Sequence, residues 1–351
     1  MLLLALLLAS GFRSPINNFD TEKAADGIYA FVATEGRNGL VSGNSMAIVG
    51  DDGVVVVDSG HFPSLTRRMV AELRKVTPKP VRFLVNTHWH PDHHAGNFVW
   101  REAFPEVSVI STEYTREQME KQAGRFDRPE SIRDILPVVE QRLASGKNKN
   151  GTPLTADDRA YLQGVLEDGR AVIPELEAYK PSRPDAGFER KLTLHLGKRI
   201  VEVMFLGRGN TGGDAVVYVP DAKLLATGDL VVAPTPYGIG SFFGEWIETL
   251  GKLSALEAGT IVPGHGPVQH DKRYIDQLVA LFSSVRDQAK AAVAQGLTLE
   301  QFRTKAEVAK FRKQFAGEDP ARIRAFDDAF VTPGLARAYR EAKEGPLKDE
   351  D

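Results

Sequence analysis

The chain has 351 residues, of which 42% are hydrophobic and 26% are charged, and its formal net charge at pH 7 is −3. This composition predicts a globular protein with a sizeable core and excludes an intrinsically disordered chain. The small negative charge offers no basic surface for nucleic acid, so no nucleic-acid partner is expected, and the absence of cysteine excludes disulfides, thiolate metal ligands and a cysteine nucleophile.

Residues 1–11 form a continuous apolar segment, mostly Leu and Ala, that ends in Ser10 and Gly11. The segment is too short to span a bilayer and is similar to the apolar core and cleavage region of a secretory signal peptide, although the usual basic start is missing. We therefore expect a signal peptide and a periplasmic or secreted protein; the alternative is a buried N-terminal segment of a cytoplasmic protein. No later stretch has the ~18 apolar residues of a membrane helix, so no stable membrane anchor is expected.

Short β-branched runs separated by Gly and Asp begin at residue 27 and predict strands. The predicted strands cover residues 27–34, 45–50, 54–58, 81–85 and 107–110. A helix with Ser64 as its N-cap is expected between the third and fourth strands, because Leu65, Met69 and Leu73 recur at helical spacing. Such alternation is typical of a layered α/β protein.

The segment after the fourth strand concentrates metal-binding side chains. Within seven residues the chain places four of its eight histidines and one aspartate, namely His88, His90, Asp92, His93 and His94. Zinc binds neutral imidazoles and carboxylates at about 2.0–2.2 Å. In a loop that leaves a strand, His88 and His90 can point one way while Asp92 and His93 face a neighbouring position, so the array can serve two adjacent metals. His94 is interpreted as an additional structural residue.

Residues 113–187 are rich in Glu, Lys, Arg and Gln and predict a helical insertion. A flexible loop at 145–151 interrupts the helical spacing, and Thr155 with Asp158 is typical of a new helix start. The insertion is either a lid or substrate wall, or a surface element that stabilises the fold, and the sequence favours neither interpretation.

Strands resume at residues 191–196 and 199–206, and three polar segments follow them in the chain. These segments are the Gly-rich run 207–214, Thr-Gly-Asp at 227–229 and Pro-Gly-His-Gly at 263–266. From residue 271 to the end, apolar residues at helical spacing and a capping box of Thr298 and Gln301 predict a helical C-terminal extension.

The string His-x-His-x-Asp-His, followed by Gly96, resembles the signature of the metallo-β-lactamase superfamily. The resemblance extends through most of residues 27–270, because a strand ending in Asp58 and the three polar segments also appear in the family's order. It implies an α/β fold, the αββα four-layer sandwich, for residues 20–270, with a site at the sheet edge. The helical insertion 113–187 and the extension 271–351 would decorate this domain.

The resemblance also implies two adjacent metal positions. The implied ligands are His88 and His90 at the first position, Asp92, His93 and His265 at the second, and Asp229 between the two. An Asp after Thr-Gly is similar to the bridging carboxylate of the glyoxalase II and lactonase branches, whereas the classical β-lactamases of the superfamily use other residues there.

Asn210 stands where the family pattern has a histidine that completes the first position. An amide oxygen is a poor zinc ligand beside imidazole, so Asn210 is predicted to coordinate weakly or to hold a water. Asp58 is expected to accept the free N–H of a ligand histidine, and Asp214 to fix the loop that bears Asn210.

The activity implied by the resemblance is zinc-dependent hydrolysis of a small-molecule substrate, with one or two zinc ions per chain. Metal-bound hydroxide would attack an ester, lactone, thioester or β-lactam-like amide, and Asp92 would orient it and carry a proton to the leaving group. The aromatic, Gly/Pro-broken run 231–243 is predicted to form a substrate wall with Tyr237 or Trp246.

Three alternatives stay open on the sequence alone. A metal-dependent phosphodiesterase or nuclease would use a cation such as Arg208 for phosphate. A diiron member that reduces oxygen or nitric oxide would normally carry Glu in place of the second histidine, but His90 is present. A catalytically impaired protein that binds metal or ligand is favoured by Asn210.

The signal-peptide interpretation predicts that the full chain is exported by a bacterial host, while a chain lacking residues 1–11 stays inside the cell. Fractionation of both proteins checks this expectation, and an equal distribution of the two would contradict it.

Overall fold

The computed structural model describes residues 18–34, 41–122, 129–148 and 150–348, so the predicted signal peptide lies outside the described residues. The strands are β1 (Phe19–Ala25), β2 (Ile28–Ala33), β3 (Ser45–Val49), β4 (Val54–Val57), β5 (Val81–Val85), β6 (Ser108–Thr112), β7 (Ala186–Phe188), β8 (Lys191–Leu196), β9 (Arg199–Phe205), β10 (Ala215–Val219), β11 (Leu224–Ala226) and β12 (Thr260–Val262). The helices are α1 (Pro63–Val76), α2 (Pro91–His94), α3 (Asn97–Ala103), α4 (Glu113–Lys121), α5 (Pro129–Ser145), α6 (Ala156–Glu177), α7 (Phe243–Ala255), α8 (Arg273–Ala294), α9 (Leu299–Lys305), α10 (Ala309–Ala316), α11 (Pro320–Phe326) and α12 (Thr332–Glu344).

The described strands form two sheets. The first has the order β1-β2-β3-β4-β5-β6-β7 and the second has the order β12-β11-β10-β9-β8. In the first sheet the strands are antiparallel up to β4 and parallel from β4 to β7, whereas in the second sheet only β11 and β12 run parallel. Parallel neighbours end at the same edge of a sheet, which is the edge that carries the polar segments.

Three apolar layers hold the sheets and helices together. Strand β4 shows the arrangement, because Val55 and Val57 face the second sheet while Val54 and Val56 face the helix α1 on the outside. A strand covered on both faces is apolar throughout, which explains its run of four valines. A third layer lies between the outer face of the second sheet and the C-terminal helices. The predicted αββα sandwich is therefore confirmed.

The start of α1 differs from the prediction. Phe62 is its N-cap and Pro63 is its first residue, because the fixed φ of proline suits the first helical position. Ser64 lies inside the helix, and its backbone N–H donates to the carboxylate of Glu175 in α6. The predicted capping box of α9, with Thr298, is present, and the predicted helix start at Thr155 is a capping box as well.

The described part of the insertion packs on the outer helix layer. Helices α5 and α6 pair around a small apolar cluster that includes Val139 and Leu162, while Val172 and Leu176 of α6 join the core beneath α1. These contacts make the described part of the insertion a component of the outer helix layer. Among the helices in the described part of the chain, none is long and apolar enough to cross a membrane.

The C-terminal extension shares its core with the second sheet. Phe282 of α8 stacks on Phe330 at a centroid distance of 5.6 Å and contacts Trp246 and Phe243 of α7 at 4.7 and 5.2 Å. These rings belong to the same cluster as Val216 of β10. The extension therefore completes the outer layer of the sandwich. The predicted boundary at residue 271 separates two segments of the chain that share one hydrophobic core.

A Phe282→Ala variant is expected to lose about 3–5 kcal/mol of unfolding free energy, because the substitution leaves a cavity among buried rings. Denaturant unfolding measures the loss. The matched control is Ile135→Ala in α5, whose side chain is half exposed and whose loss should stay within about 0.5 kcal/mol. A loss below about 1 kcal/mol for Phe282→Ala would contradict the shared core.

Candidate metal centre

Strand register brings the predicted ligand segments to one edge of the sandwich. Val57 of β4 pairs with Val85 of β5, so Asp58 and the histidine-rich segment leave the first sheet side by side. In the second sheet Ala226 pairs with Val262, so the chain leads directly from this pair into the segments of Asp229 and His265. Each segment thus begins at the end of a strand whose position is fixed by the sheet.

The second metal position is built from Asp92, His93 and His265. The Nε2 atoms of the two histidines are 3.2 Å apart, and Asp92 Oδ2 lies 3.1 Å from His265 Nε2 and 3.4 Å from His93 Nε2. Asp229 Oδ1 lies 3.2 Å from His93 Nε2 and 3.5 Å from His265 Nε2. Ligand atoms at 2.0–2.2 Å from a tetrahedral ion are about 3.3–3.6 Å apart. Four donor atoms thus have the spacing of a zinc tetrahedron.

The first position is formed by His88, His90 and the other oxygen of Asp229. His88 Nε2 lies 3.0 Å from His90 Nδ1 and 3.6 Å from Asp229 Oδ2. The donor atoms of each of the two groups lie within 4.8 Å of one another, which is close enough for a common ion. Asp229 therefore directs one carboxylate oxygen to each group, as a bridging ligand would.

Asp58 and Thr87 orient the ligand histidines from behind. The Thr87 N–H and hydroxyl donate to the two carboxylate oxygens of Asp58, each at 2.8 Å, and His93 Nδ1 donates to Asp58 Oδ2 at 2.8 Å. Because the Thr87 hydroxyl hydrogen is used on Asp58, its oxygen can accept the Nδ1–H of His88 at 3.0 Å. Both histidines then present a free Nε2 lone pair to the site.

The carboxylates give the site an excess of negative charge. Burial alone would lower the pKa of His93, but Asp229, Asp92 and Asp58 outweigh it and hold that pKa well above its ordinary value. The pKa of His88, which is fully buried, is held well below its ordinary value by burial and by the nearby His93. The surrounding carboxylates thus favour positive charge at His93, which a divalent cation could supply in place of a proton.

Asn210 is buried, and neither of its amide atoms has a hydrogen-bond partner. Its loop is held separately, because Asp214 accepts from the N–H and the hydroxyl of Thr211, both at 2.8 Å. A buried amide without a partner costs free energy unless something not bonded in the chain engages it. The predicted place of Asn210 at the first position would give it such a partner, in a metal ion or its water, and Asp229 Oδ1 likewise has no hydrogen bond. The residues present therefore fit a bound metal.

Two glycines allow the backbone to approach the ligands; Gly264 belongs to the predicted His265 turn, whereas the sequence does not point to Gly43. A Cβ at Gly264 would lie 2.0 Å from Asp229 Oδ1, and a Cβ at Gly43 would lie 2.3 Å from the His93 ring. Asn44 was not predicted either. Its side-chain amide donates to the carbonyls of Pro263 and Gly266 and so holds the turn that carries His265. Nothing in the sequence marked Gly43 or Asn44, because they act across the sheet edge.

Tyr237 and Trp246 have different positions. The Tyr237 ring lies 6.3 Å from the His90 ring, at the border of the site. Trp246 is buried in the core and donates its indole N–H to the carbonyl of Leu230, so its placement in a substrate wall is corrected. A helix begins at Phe243 and turns the Trp246 side chain toward the inside.

The site is open on one side. The side chains of Asp92 and His265 are 15% and 19% exposed, whereas those of His88 and His93 are fully buried. His94 lies outside both ligand groups, and burial lowers its pKa to about 4, so it is a neutral packed residue. Substrate would therefore reach the metals from the side of Asp92, His265 and Tyr237.

Comparison with known proteins identifies the family of this fold and site. A sequence model of the metallo-β-lactamase superfamily matches residues 38–265, which is well over half of the chain. The chain belongs to the metallo-β-lactamase superfamily. A linear primary-alkylsulfatase from a Pseudomonas species is 24% identical over 289 residues, which are 77% of this chain and 50% of that protein. The chain thus spans about half the length of this curated relative.

Solved structures of the superfamily have the same fold. The metallo-β-lactamase from Pontibacter korlensis matches with a TM-score of 0.54 at 19% identity, over 76% of this chain and 99% of that one. The DIM-1 metallo-β-lactamase matches with a TM-score of 0.52 at 19% identity, over 76% of this chain and 98% of that one. At this identity the likeness shows the fold alone.

An Asn210→His variant is expected to bind zinc more tightly at the first position, because imidazole is a better zinc ligand than an amide. Calorimetric zinc titration measures this affinity. Asn210→Ala is the matched control, since it removes the amide without adding a ligand, and it should weaken the first position. Equal stoichiometry and affinity in all three proteins would contradict the placement of Asn210 at a metal.

Proposed function

We propose that the protein is a zinc-dependent hydrolase acting on a small ester, lactone, thioester or β-lactam-like amide. The observation that carries the proposal is the spacing of four donor atoms: the Nε2 atoms of His93 and His265 lie 3.2 Å apart, and each lies 3.1–3.5 Å from a carboxylate oxygen of Asp92 and of Asp229. Membership of a superfamily of mostly hydrolytic enzymes supports it.

Zinc held by these residues would supply a Lewis acid and would lower the pKa of a coordinated water to about 7. The chain's own residues then have separate tasks. Asp92 is the partly exposed carboxylate beside His265, so it can accept a proton from the attacking water and return it to the leaving group. Asp58 keeps His93 in one orientation and tautomer while this happens.

A sulfate ester is the second candidate substrate, and the named activity of the alkylsulfatase relative favours it. Arg208 offers weaker support for a phosphodiesterase than the sequence indicated. Its guanidinium pairs with both carboxylate oxygens of Glu245 and lies 4.2 Å over the Phe242 ring. A guanidinium engaged in this way is already neutralised by a carboxylate.

The test is a comparison of zinc-loaded and zinc-depleted protein on three chromogenic substrates, p-nitrophenyl acetate, nitrocefin and bis(p-nitrophenyl) phosphate, and on a linear primary alkyl sulfate whose released sulfate is measured. We expect zinc-dependent turnover of the acyl ester or of nitrocefin, and a loss of at least about 100-fold in kcat/KM for Asp92→Asn. Asp271→Asn removes a half-exposed carboxylate outside the site and should leave the rate unchanged.

The other outcomes separate the alternatives. Turnover of the sulfate ester alone would favour the second candidate, and turnover of the phosphate diester alone would favour a phosphodiesterase. Zinc bound with no turnover of any substrate would favour a binding protein. Equal rates for zinc-depleted protein, or for Asp92→Asn, would contradict the proposal.

A further inference from the structure

The segment 231–242, here called the wall loop, leaves the Asp229 turn and passes along the open side of the site. It carries Tyr237 beside the His90 ring and the half-exposed Ile239. Beyond the β-bridge at Val232, the loop forms no helix or strand, because every second residue from Pro234 to Gly240 is Pro or Gly. Its position must therefore come from contacts with other parts of the chain.

The C-terminal extension supplies these contacts along the whole length of the wall loop. At its start, the Tyr274 hydroxyl of α8 lies 2.7 Å from the carbonyl oxygen of Val232 and 2.9 Å from that of Pro234. At its middle, the Gly238 N–H donates to the carbonyl of Ala329, at 2.9 Å. These contacts tie the loop to the C-terminal extension.

Arg337 of α12 holds the end of the wall loop. Its Nε donates to the carbonyl of Ser241 at 3.0 Å, and one terminal nitrogen donates to the carbonyl of Gly240 at 3.2 Å. The side chain is only 6% exposed, and its guanidinium lies 5.8 Å from the Phe242 ring. A buried arginine that donates to two successive backbone carbonyls fixes the direction of that backbone, because its donors form a rigid fork.

We propose that Arg337 is a positioning residue of the metal site. It acts through the wall loop, by keeping Tyr237 at the border of the site beside His90. The Asn210 loop has supports of its own besides the Phe242 N–H that donates to the carbonyl of Gly209, because Asp214 accepts from Thr211 and the hydroxyls of Thr112 and Thr115 donate to the carbonyl of Gly213. The C-terminal extension thus contributes to substrate binding without contacting substrate.

The first experiment measures hydrogen exchange of the backbone amides in residues 231–242 of the full chain, without any substrate. We expect Arg337→Gln to raise their exchange rate about tenfold, since the loop end loses its two charged donors. Arg337→Lys keeps one charged donor group and should restore part of the protection. Arg340→Gln is the matched control on the same helix, because Arg340 pairs with Glu344 at the surface and should leave the loop unchanged.

The second experiment rests on the proposed function and measures kinetics on the best substrate. Arg337→Lys is expected to raise KM about fivefold to tenfold, which is about 1.0–1.4 kcal/mol, while kcat and zinc content stay within about twofold. Tyr237→Ala should cost far less in the Arg337→Lys background than in the wild type, because the ring is already displaced.

Unchanged exchange in the wall loop of Arg337→Lys and Arg337→Gln would overturn the proposal. So would a uniform loss of protection throughout α8 and α12, or additive effects of the Arg337 and Tyr237 variants, because either result would mean that Arg337 only stabilises the fold. If Arg337→Gln does not fold, the exchange and kinetic measurements on Arg337→Lys test the proposal. If no substrate is turned over, the exchange experiment still decides, so failure of the proposed function is distinguishable from failure of this inference.

Discussion

The arrangement of the whole site depends on Asp229, whose two carboxylate oxygens face different groups of ligands. One oxygen lies 3.2 Å from His93 Nε2 and the other lies 3.6 Å from His88 Nε2. Burying three carboxylates and several imidazoles at one place costs much desolvation energy, which hydrogen bonds such as those from Thr87 to Asp58 and opposite charge must offset. A divalent cation bound between the two ligand groups would supply this charge. The site is thus stable when it holds positive charge.

The fold meets this constraint by bringing strand ends together and by packing backbone closely behind the ligands. Paired ends of β4 and β5, and of β11 and β12, place the polar segments at one edge. Gly264 lets the His265 turn pass against Asp229, and Asp58 adopts a left-handed backbone conformation, with φ of 56°, to reach both Thr87 and His93. Such a conformation is unfavourable for a residue with a Cβ, so the surrounding bonds must hold it.

The sequence predicted those features that depend on local pattern. The sandwich, the capping boxes and the residues that converge on the site were accessible, because strand ends and clustered histidines are visible in one dimension. Trp246 was wrongly assigned to the substrate wall, because an aromatic run does not show where a helix begins. Ser64 was wrongly predicted to be the N-cap of α1, because Pro63 already suits the first helical position. The sequence did not predict the roles of Asn44, Gly43 and Arg337. Their partners lie far away in the chain, and no local sequence pattern indicates such contacts.

The most direct measurement of the central claim is anomalous diffraction at the zinc absorption edge from crystals of the full chain grown with zinc. The account predicts two peaks about 3.5–4 Å apart, one among Asp92, His93 and His265 and one beside His88 and His90, with Asp229 between them. Zinc found only at other places on the protein, with neither ligand group occupied, would contradict the account.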